Sequence, residues 1–152
     1  MKKLFAVLIM SALIFTACEE KPDETTYDVG DTGPGGGIVF FAEGGQYKEC
    51  SGDLGAYPWT DAVTVAKNHK GGGFTNWSLP DQGELYLMWA NLYFNNLGGF
   101  VGNVHYWSSS EYSPSSARSA AFSRDGSYYK FTPFIDDKRA SNFVRAVRFF
   151  SF

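Results

Sequence analysis

The chain predicts an α+β domain, with two helices against a small, mainly antiparallel sheet and long irregular loops between them. Three observations point there. Two stretches in the first half repeat apolar residues at helical spacing. Short β-rich stretches with glycine turn signals fill the second half. The order strand, two helices, then several strands segregates the helices instead of alternating them with strands.

The first 17 residues stand apart from that domain. Lys2-Lys3, the apolar run 4–15 and the small pair Thr16-Ala17 follow the order of an export signal. The run is too short for a spanning helix, which needs roughly 20 residues. Cys18 follows at the first mature position. This order resembles a bacterial lipoprotein signal. The resemblance implies a diacylglycerol on the Cys18 sulfur, cleavage before Cys18, and a palmitate-bearing anchor in the cell envelope, with the outer membrane as the expected site. Phe15 stands three positions before the Cys, where most members carry Leu. Residues 18–28 hold five acids against Lys21, with almost nothing apolar, and are expected to be a solvated tether. The domain is expected to span 29–152.

Loss of Lys2 and Lys3 leaves 11 basic residues against 16 acids and moves the net charge from -3 to -5. Such a balance disfavours nucleic acid as a partner. With Cys18 lipidated, only Cys50 remains, so no internal disulfide forms. Cys50 reads as a small buried hydrophobe.

The elements follow in order. Residues 31–37, with four glycines, are a turn-rich entry to a strand at 38–41. A glycine-rich stretch beside a strand invites a phosphate-loop reading. No Lys-Ser/Thr follows and no helix begins there, so backbone needing positive φ or close approach is the better explanation. Residues 59–70 predict a helix capped by Thr60. Trp59, Ala62, Val63 and Ala66 share one face, Lys67 and Lys70 sit in the last turn, and three glycines stop it. Asp81 and Glu84 form a capping-box start for a second helix carrying Leu85, Met88, Trp89 and Leu92. Residues 95–99 end it. Strands are expected at 117–123 and 127–131 around a turn at Arg124-Asp125-Gly126, with a closing strand at 143–150. Trp77, Leu79 and Trp107 are expected to anchor the core. Ser108, Ser109 and Ser110 are expected to satisfy backbone groups in a non-regular turn.

Five pieces in order carry a family resemblance: 30–41, Trp59-Thr60-Asp61-Ala62, Asn76-Trp77-Ser78-Leu79-Pro80 leading to Glu84-Leu85, 106–111, and 144–149. Together they resemble the domain at the C-terminus of the Legionella collagen-like adhesin, especially its spirochaetal lipoprotein relatives. The resemblance implies a C-type-lectin-like fold related to the formylglycine-generating enzyme. It implies paired first and last strands and a long irregular region that presents ligands. Asn76 and Ser78 stand where many members have Asp and Arg, and Ala66 where some have Cys.

Catalytic chemistry is thinly represented. The two usual bases are His69, at a helix end, and His105, before the Tyr106-Trp107 strand. Neither is singled out beside a nucleophile and an orienting acid. One Cys50 does not supply the cysteine pair that the oxidative relatives use. Asp136, Asp137 and Glu111 offer oxygen ligands of the calcium type. The Glu-Pro-Asn, Gln-Pro-Asp and Trp-Asn-Asp signatures of sugar-binding calcium lectins are missing, and Asp136-Asp137-Lys138-Arg139 reads as a solvated charged loop. No metal, cofactor or enzymatic activity is expected.

The expected function is a surface-anchored, adhesin-type binding module for a glycan or for a host or envelope protein. A structural envelope lipoprotein and a cryptic hydrolase are the alternatives. The residues expected to bind are Glu111, Tyr112, Arg118, Arg124, Asp125, Tyr128, Tyr129 and Lys130, which mix rigid aromatics with charges. Tyr128 and Tyr129 are adjacent on a strand, so one packs inward and the other faces solvent.

Overall fold

The computed structural model describes residues 25–152. Cys18, the export signal and most of the tether lie outside the described residues. The chain forms β1 (Ile38–Glu43), β2 (Gln46–Cys50), β3 (Ala56–Tyr57), α1 (Trp59–Asn68), α2 (Gln82–Asn91), β4 (His105–Ser113), β5 (Ser116–Asp125), β6 (Tyr128–Asp137), β7 (Asn142–Phe143) and β8 (Val147–Ser151). Two sheets result, one ordered β1-β2-β8 and one ordered β3-β7-β4-β5-β6. All pairings are antiparallel except the contact of β4 with β7. The class is α+β, as the sequence predicts.

Helix α2 begins as its sequence dictates. The Asp81 carboxylate accepts from the Glu84 N–H at 2.7 Å, and the Glu84 carboxylate accepts from the Asp81 N–H at 2.9 Å. Leu85, Met88 and Leu92 are buried on the inner face, and Trp89 packs at its edge. Helix α1 differs from expectation at both ends. Pro58 holds the cap position and Thr60 caps nothing; its carbonyl instead accepts from the Thr64 hydroxyl. The fixed φ of proline suits a helix entry without a side-chain acceptor. The helix stops at Asn68, so Lys67 is in the last turn and Lys70 is outside it.

Two large packed clusters of side chains result, beside a smaller one of Val39, Tyr47 and Phe150. One joins both sheets to α2 through Phe40, Cys50, Leu85, Met88, Tyr106, Phe122 and Val147. The other gathers Ala62 and Ala66 of α1 with Trp77, Leu79, Trp107 and Val144. Both indoles are buried and bonded: Trp107 Nε1 donates to the Tyr57 carbonyl at 2.8 Å, and Trp77 Nε1 to that of Gly71 at 3.3 Å. Of the three serines expected in a non-regular turn, all lie within β4, and only the Ser108 hydroxyl satisfies a backbone group. A bulge interrupts β4 between Trp107 and Glu111, and the buried Ser108 hydroxyl accepts from the Ser110 N–H.

Four expectations about strands are corrected. β2 and β3 are strands that the sequence pattern did not reveal. β5 and β6 are each ten residues long, so Arg124 and Asp125 lie in β5 and the turn is Gly126-Ser127. The closing segment is split: β7 joins the larger sheet, residues 144–146 cross between sheets, and only β8 enters the smaller one. The last strand pairs with β2, the second strand of the opening hairpin, and not with β1. Packing also starts earlier than Val29, because Tyr27 lies against Tyr47, Phe150 and Phe152.

The glycine-rich entry is filled from within. Glu49 of β2 is 0% exposed, and its carboxylate accepts from the N–H groups of Gly35 and Gly37 at 2.9 and 3.0 Å. Arg148 of β8, 5% exposed, donates to the same carboxylate through Nε and Nη2 at 2.9 and 2.6 Å. The Phe74 ring covers the guanidinium at 3.8 Å. A Cβ on Gly35 would sit 2.6 Å from both the Glu49 carboxylate and the Trp77 ring. The glycine run exists for close approach to an internal anion.

Two stability tests follow from this packing. Trp77→Ala or Trp107→Ala should cost about 3–5 kcal/mol, out of a total of about 5–15 kcal/mol for such a domain. Thermal melts within a few degrees of wild type would rule out the anchor role. Arg148→Met leaves a buried carboxylate unpaired and should cost about 3–5 kcal/mol in denaturant melts. Glu49→Leu strands both Arg148 and the loop amides, so it should be the worse of the two.

Candidate ligand-binding site

The eight residues expected to bind do not meet at one place. All lie on β4, β5 and β6, but in two groups at opposite ends of β5, with Arg118 and Arg124 about 20 Å apart along the strand. Glu111, Tyr112 and Arg118 lie near the β4–β5 turn. There the Arg118 guanidinium stands 5.5 Å from the Tyr112 ring centre, and Glu111 pairs with Lys138. Lys138 also lies over the Trp59 ring and donates to the Pro114 carbonyl. These contacts hold the turn in place.

The other group surrounds the β5–β6 turn. Arg124 pairs with Tyr129 across the ladder and Asp125 with Tyr128. Strand alternation therefore puts Arg124 and Tyr129 on one face, and Asp125, Tyr128 and Lys130 on the other. Tyr128 is 73% exposed, whereas Tyr129 packs against Phe94 at 4.5 Å. That is the division the sequence predicts for the adjacent tyrosines.

Arg124 opens into a cleft of about 290 Å³ between the β5 end and the chain that follows α2. Its Nη1 donates to Asn96 Oδ1 at 2.8 Å, its Nε donates to the Gly126 carbonyl, and its guanidinium lies 4.9 Å from the Tyr129 ring centre. Tyr93, Leu97, Phe100 and Gly102 supply other walls. The sequence marked 95–99 only as a helix stop. Its signal for more was there: Asn96, Gly98 and Gly99 all take positive φ, which folds the chain back to make a concave edge. Burial pushes the Tyr93 phenol above its ordinary value, although Arg124 pulls it down and Tyr129 raises it further, so it stays a protonated donor.

A second concavity, of about 490 Å³, runs beside β8 between Phe74, Phe149 and Phe152, with Arg148 among its lining residues.

Polar chemistry elsewhere is structural in form. Asp136 and Asp137 end β6 and do not form the solvated loop expected of them. One oxygen of Asp136 accepts from the Ser119 hydroxyl at 2.6 Å and the Asn142 amide at 2.7 Å, and lies 2.8 Å from His105 Nδ1. His105 opens β4 and stacks on Phe134. Ser119 and His105 thus share a carboxylate oxygen, whereas a hydrolytic triad needs the imidazole between serine and acid. His69 meets the edge of Trp77, and burial lowers its pKa. Burial pushes the Cys50 thiol up to about 12. Among the described residues, no cluster of three or more His, Cys, Asp or Glu side chains is placed to hold a metal.

No protein-family model matches the chain, and no curated protein matches it.

Two solution measurements test this account. Burial alone would raise the Asp136 pKa, but the hydrogen bonds from Ser119, His105 and Asn142 outweigh it and hold it below the ordinary carboxylate value. A lowered folded pKa gives stability that is full above the unfolded value near 4 and lost as pH falls through the folded one. Asp136→Asn should therefore flatten the acid limb of a melting-temperature profile, and an unchanged limb would exclude the network as its source. Cys50, as a buried and protonated thiol, should resist iodoacetamide in the native chain and react fully in denaturant.

Proposed function

We propose that this chain is an envelope lipoprotein, anchored through Cys18, whose C-type-lectin-like domain binds a ligand at the tip of the β5–β6 hairpin. The observation that carries the binding role is the cleft under Arg124. It is walled by the aromatics Tyr93 and Phe100, by Asn96 and by the exposed Leu97. Aromatic and arginine side chains around a concavity are the composition of recognition surfaces.

Support for the lectin-like frame is the placement of the opening and closing strands in one sheet, with two helices and long connections between them. The pairing of β8 with β2 is where this chain departs from the expected pattern. Binding is preferred to hydrolysis because Ser119 and His105 are spent on the same acceptor. It is preferred to a purely structural envelope role because the cleft and its apolar border lie open. A glycan, a host protein or an envelope protein is the partner, and the net negative charge argues against nucleic acid.

The anchor is tested by palmitate labelling of wild type and Cys18→Ser in the native envelope. Label in the wild type alone is the expected result; equal label, or none in either, removes the anchor. Binding is tested by glycan and matrix-protein arrays with the full mature chain. Arg124→Gln should lose the signal with its melting temperature intact, and Arg118→Gln at the far end of β5 should keep it. The opposite pattern would move the site to the β4–β5 turn.

A further inference from the structure

The cleft under Arg124 offers a set of unpaired donors. Arg124 uses Nε and Nη1 on Gly126 and Asn96, which leaves Nη2 without a protein acceptor among the described residues. Asn96 spends its Oδ1 on Arg124, so its Nδ2 is free to donate. The backbone N–H groups of the wall residues Gly99, Phe100 and Gly102 reach no protein acceptor among the described residues. The Tyr93 hydroxyl lies at the same wall, where a Cβ on Gly102 would stand 2.6 Å from it.

No carboxylate lines the cleft. The Gly99 carbonyl is already taken by Arg145 Nη2 at 2.8 Å. Arg145 is 2% exposed, bonds otherwise to the Ser51 carbonyl, and forms no salt bridge among the described residues. Its guanidinium lies against the Phe100 ring at 4.3 Å, directly behind the cleft wall. A buried cation without a counter-ion costs free energy unless an anion comes near. A cleft with a cation at its mouth, another behind it, unpaired amides on its wall and no carboxylate among its lining residues is matched to negative charge.

We infer that this cleft takes an oxyanion, a carboxylate or sulfate carried on a ligand the size of one sugar ring, with Arg124 and the loop amides as its donors. The volume of about 290 Å³ suits such a unit, and the Tyr93 and Phe100 rings offer it apolar walls. This rests on the binding role proposed above and names the ligand chemistry of that site.

The test is amide NMR of the full mature chain in detergent micelles, titrated with glucuronate, inorganic sulfate and glucose. Saturable shifts at Gly99, Phe100 and Gly102 are expected with one or both anions, and the tighter one identifies the group. Glucose should give none. Arg124→Gln should weaken anion binding about tenfold or more, as loss of a charged hydrogen-bond partner does, and Arg124→Lys should recover part of it. Asn96→Gly, which keeps the left-handed backbone and removes the amide, gives an independent reading if Arg124→Gln perturbs the fold. No saturation with either anion, equal response to glucose, or full affinity in both variants would overturn the inference. The titration needs neither a lipid anchor nor a macromolecular partner. A failed palmitate label or an empty array therefore leaves it standing, and its own failure leaves the anchor and the array result untouched.

Discussion

The buried carboxylate of Glu49 organises the molecule. It ties together three segments far apart in sequence: the glycine-rich entry through Gly35 and Gly37, β2 on which it sits, and β8 through Arg148. An ion pair taken out of water repays its desolvation only if geometry is good and the remaining lone pairs are satisfied. Both conditions hold here. Two backbone N–H groups and two guanidinium nitrogens converge on one carboxylate, and Phe74 seals the guanidinium. The price is specificity of sequence, since glycine is needed wherever the loop touches the acid.

From that junction the rest is propagated by packing. Arg148 also lies near Trp77, and Trp77 joins α1 and the crossover residue Val144 in one apolar cluster. Ser78 pairs through its backbone with Val147, so the chain entering α2 is hydrogen-bonded to the closing strand. The capping box then sets the direction of α2, whose inner face meets both sheets. The cleft at the far end inherits its shape from this chain of constraints. The turn after α2 can only fold back where Leu92 is buried and Arg145 holds the Gly99 carbonyl.

Local signals were readable in the sequence, and long-range ones were not. Asp81 with Glu84 specifies a helix start within four residues, and α2 begins there. Adjacent Tyr128 and Tyr129 divide between two faces because strand geometry leaves no alternative. Trp77 and Trp107 are core anchors because nothing else hides an indole so well. By contrast, Thr60 looked like a cap, yet Pro58 had already set the entry angle. Tyr47-Lys48-Glu49-Cys50 carries charges that disguise a central strand, because its Glu49 is neutralised by Arg148, 99 residues later. The apparent single strand 143–150 is divided because Arg145 must turn inward to backbone carbonyls. The eight residues marked for binding all lie on late strands, Arg124 and Asp125 included although a turn was expected there, and ten-residue strands set their two groups at opposite ends. The cleft itself needed Tyr93, Asn96 and Phe100, whose convergence with Arg124 is a property of the fold.

Tyr27 gives the domain a mechanical point of attachment. Wedged among Tyr47, Phe150 and Phe152, it passes a pull on the preceding chain straight into the smaller sheet. The β5–β6 hairpin is joined to the body through its ladder with β4 and through the packing of Phe122, Tyr129 and Phe131 against α2 and the chain after it. A load applied at the hairpin tip along its strands meets the β4–β5 hydrogen bonds in shear, so they must yield together and not one by one. Force entering at Tyr27 is thus passed to β2 and β8, the two strands that the Glu49–Arg148 pair locks together.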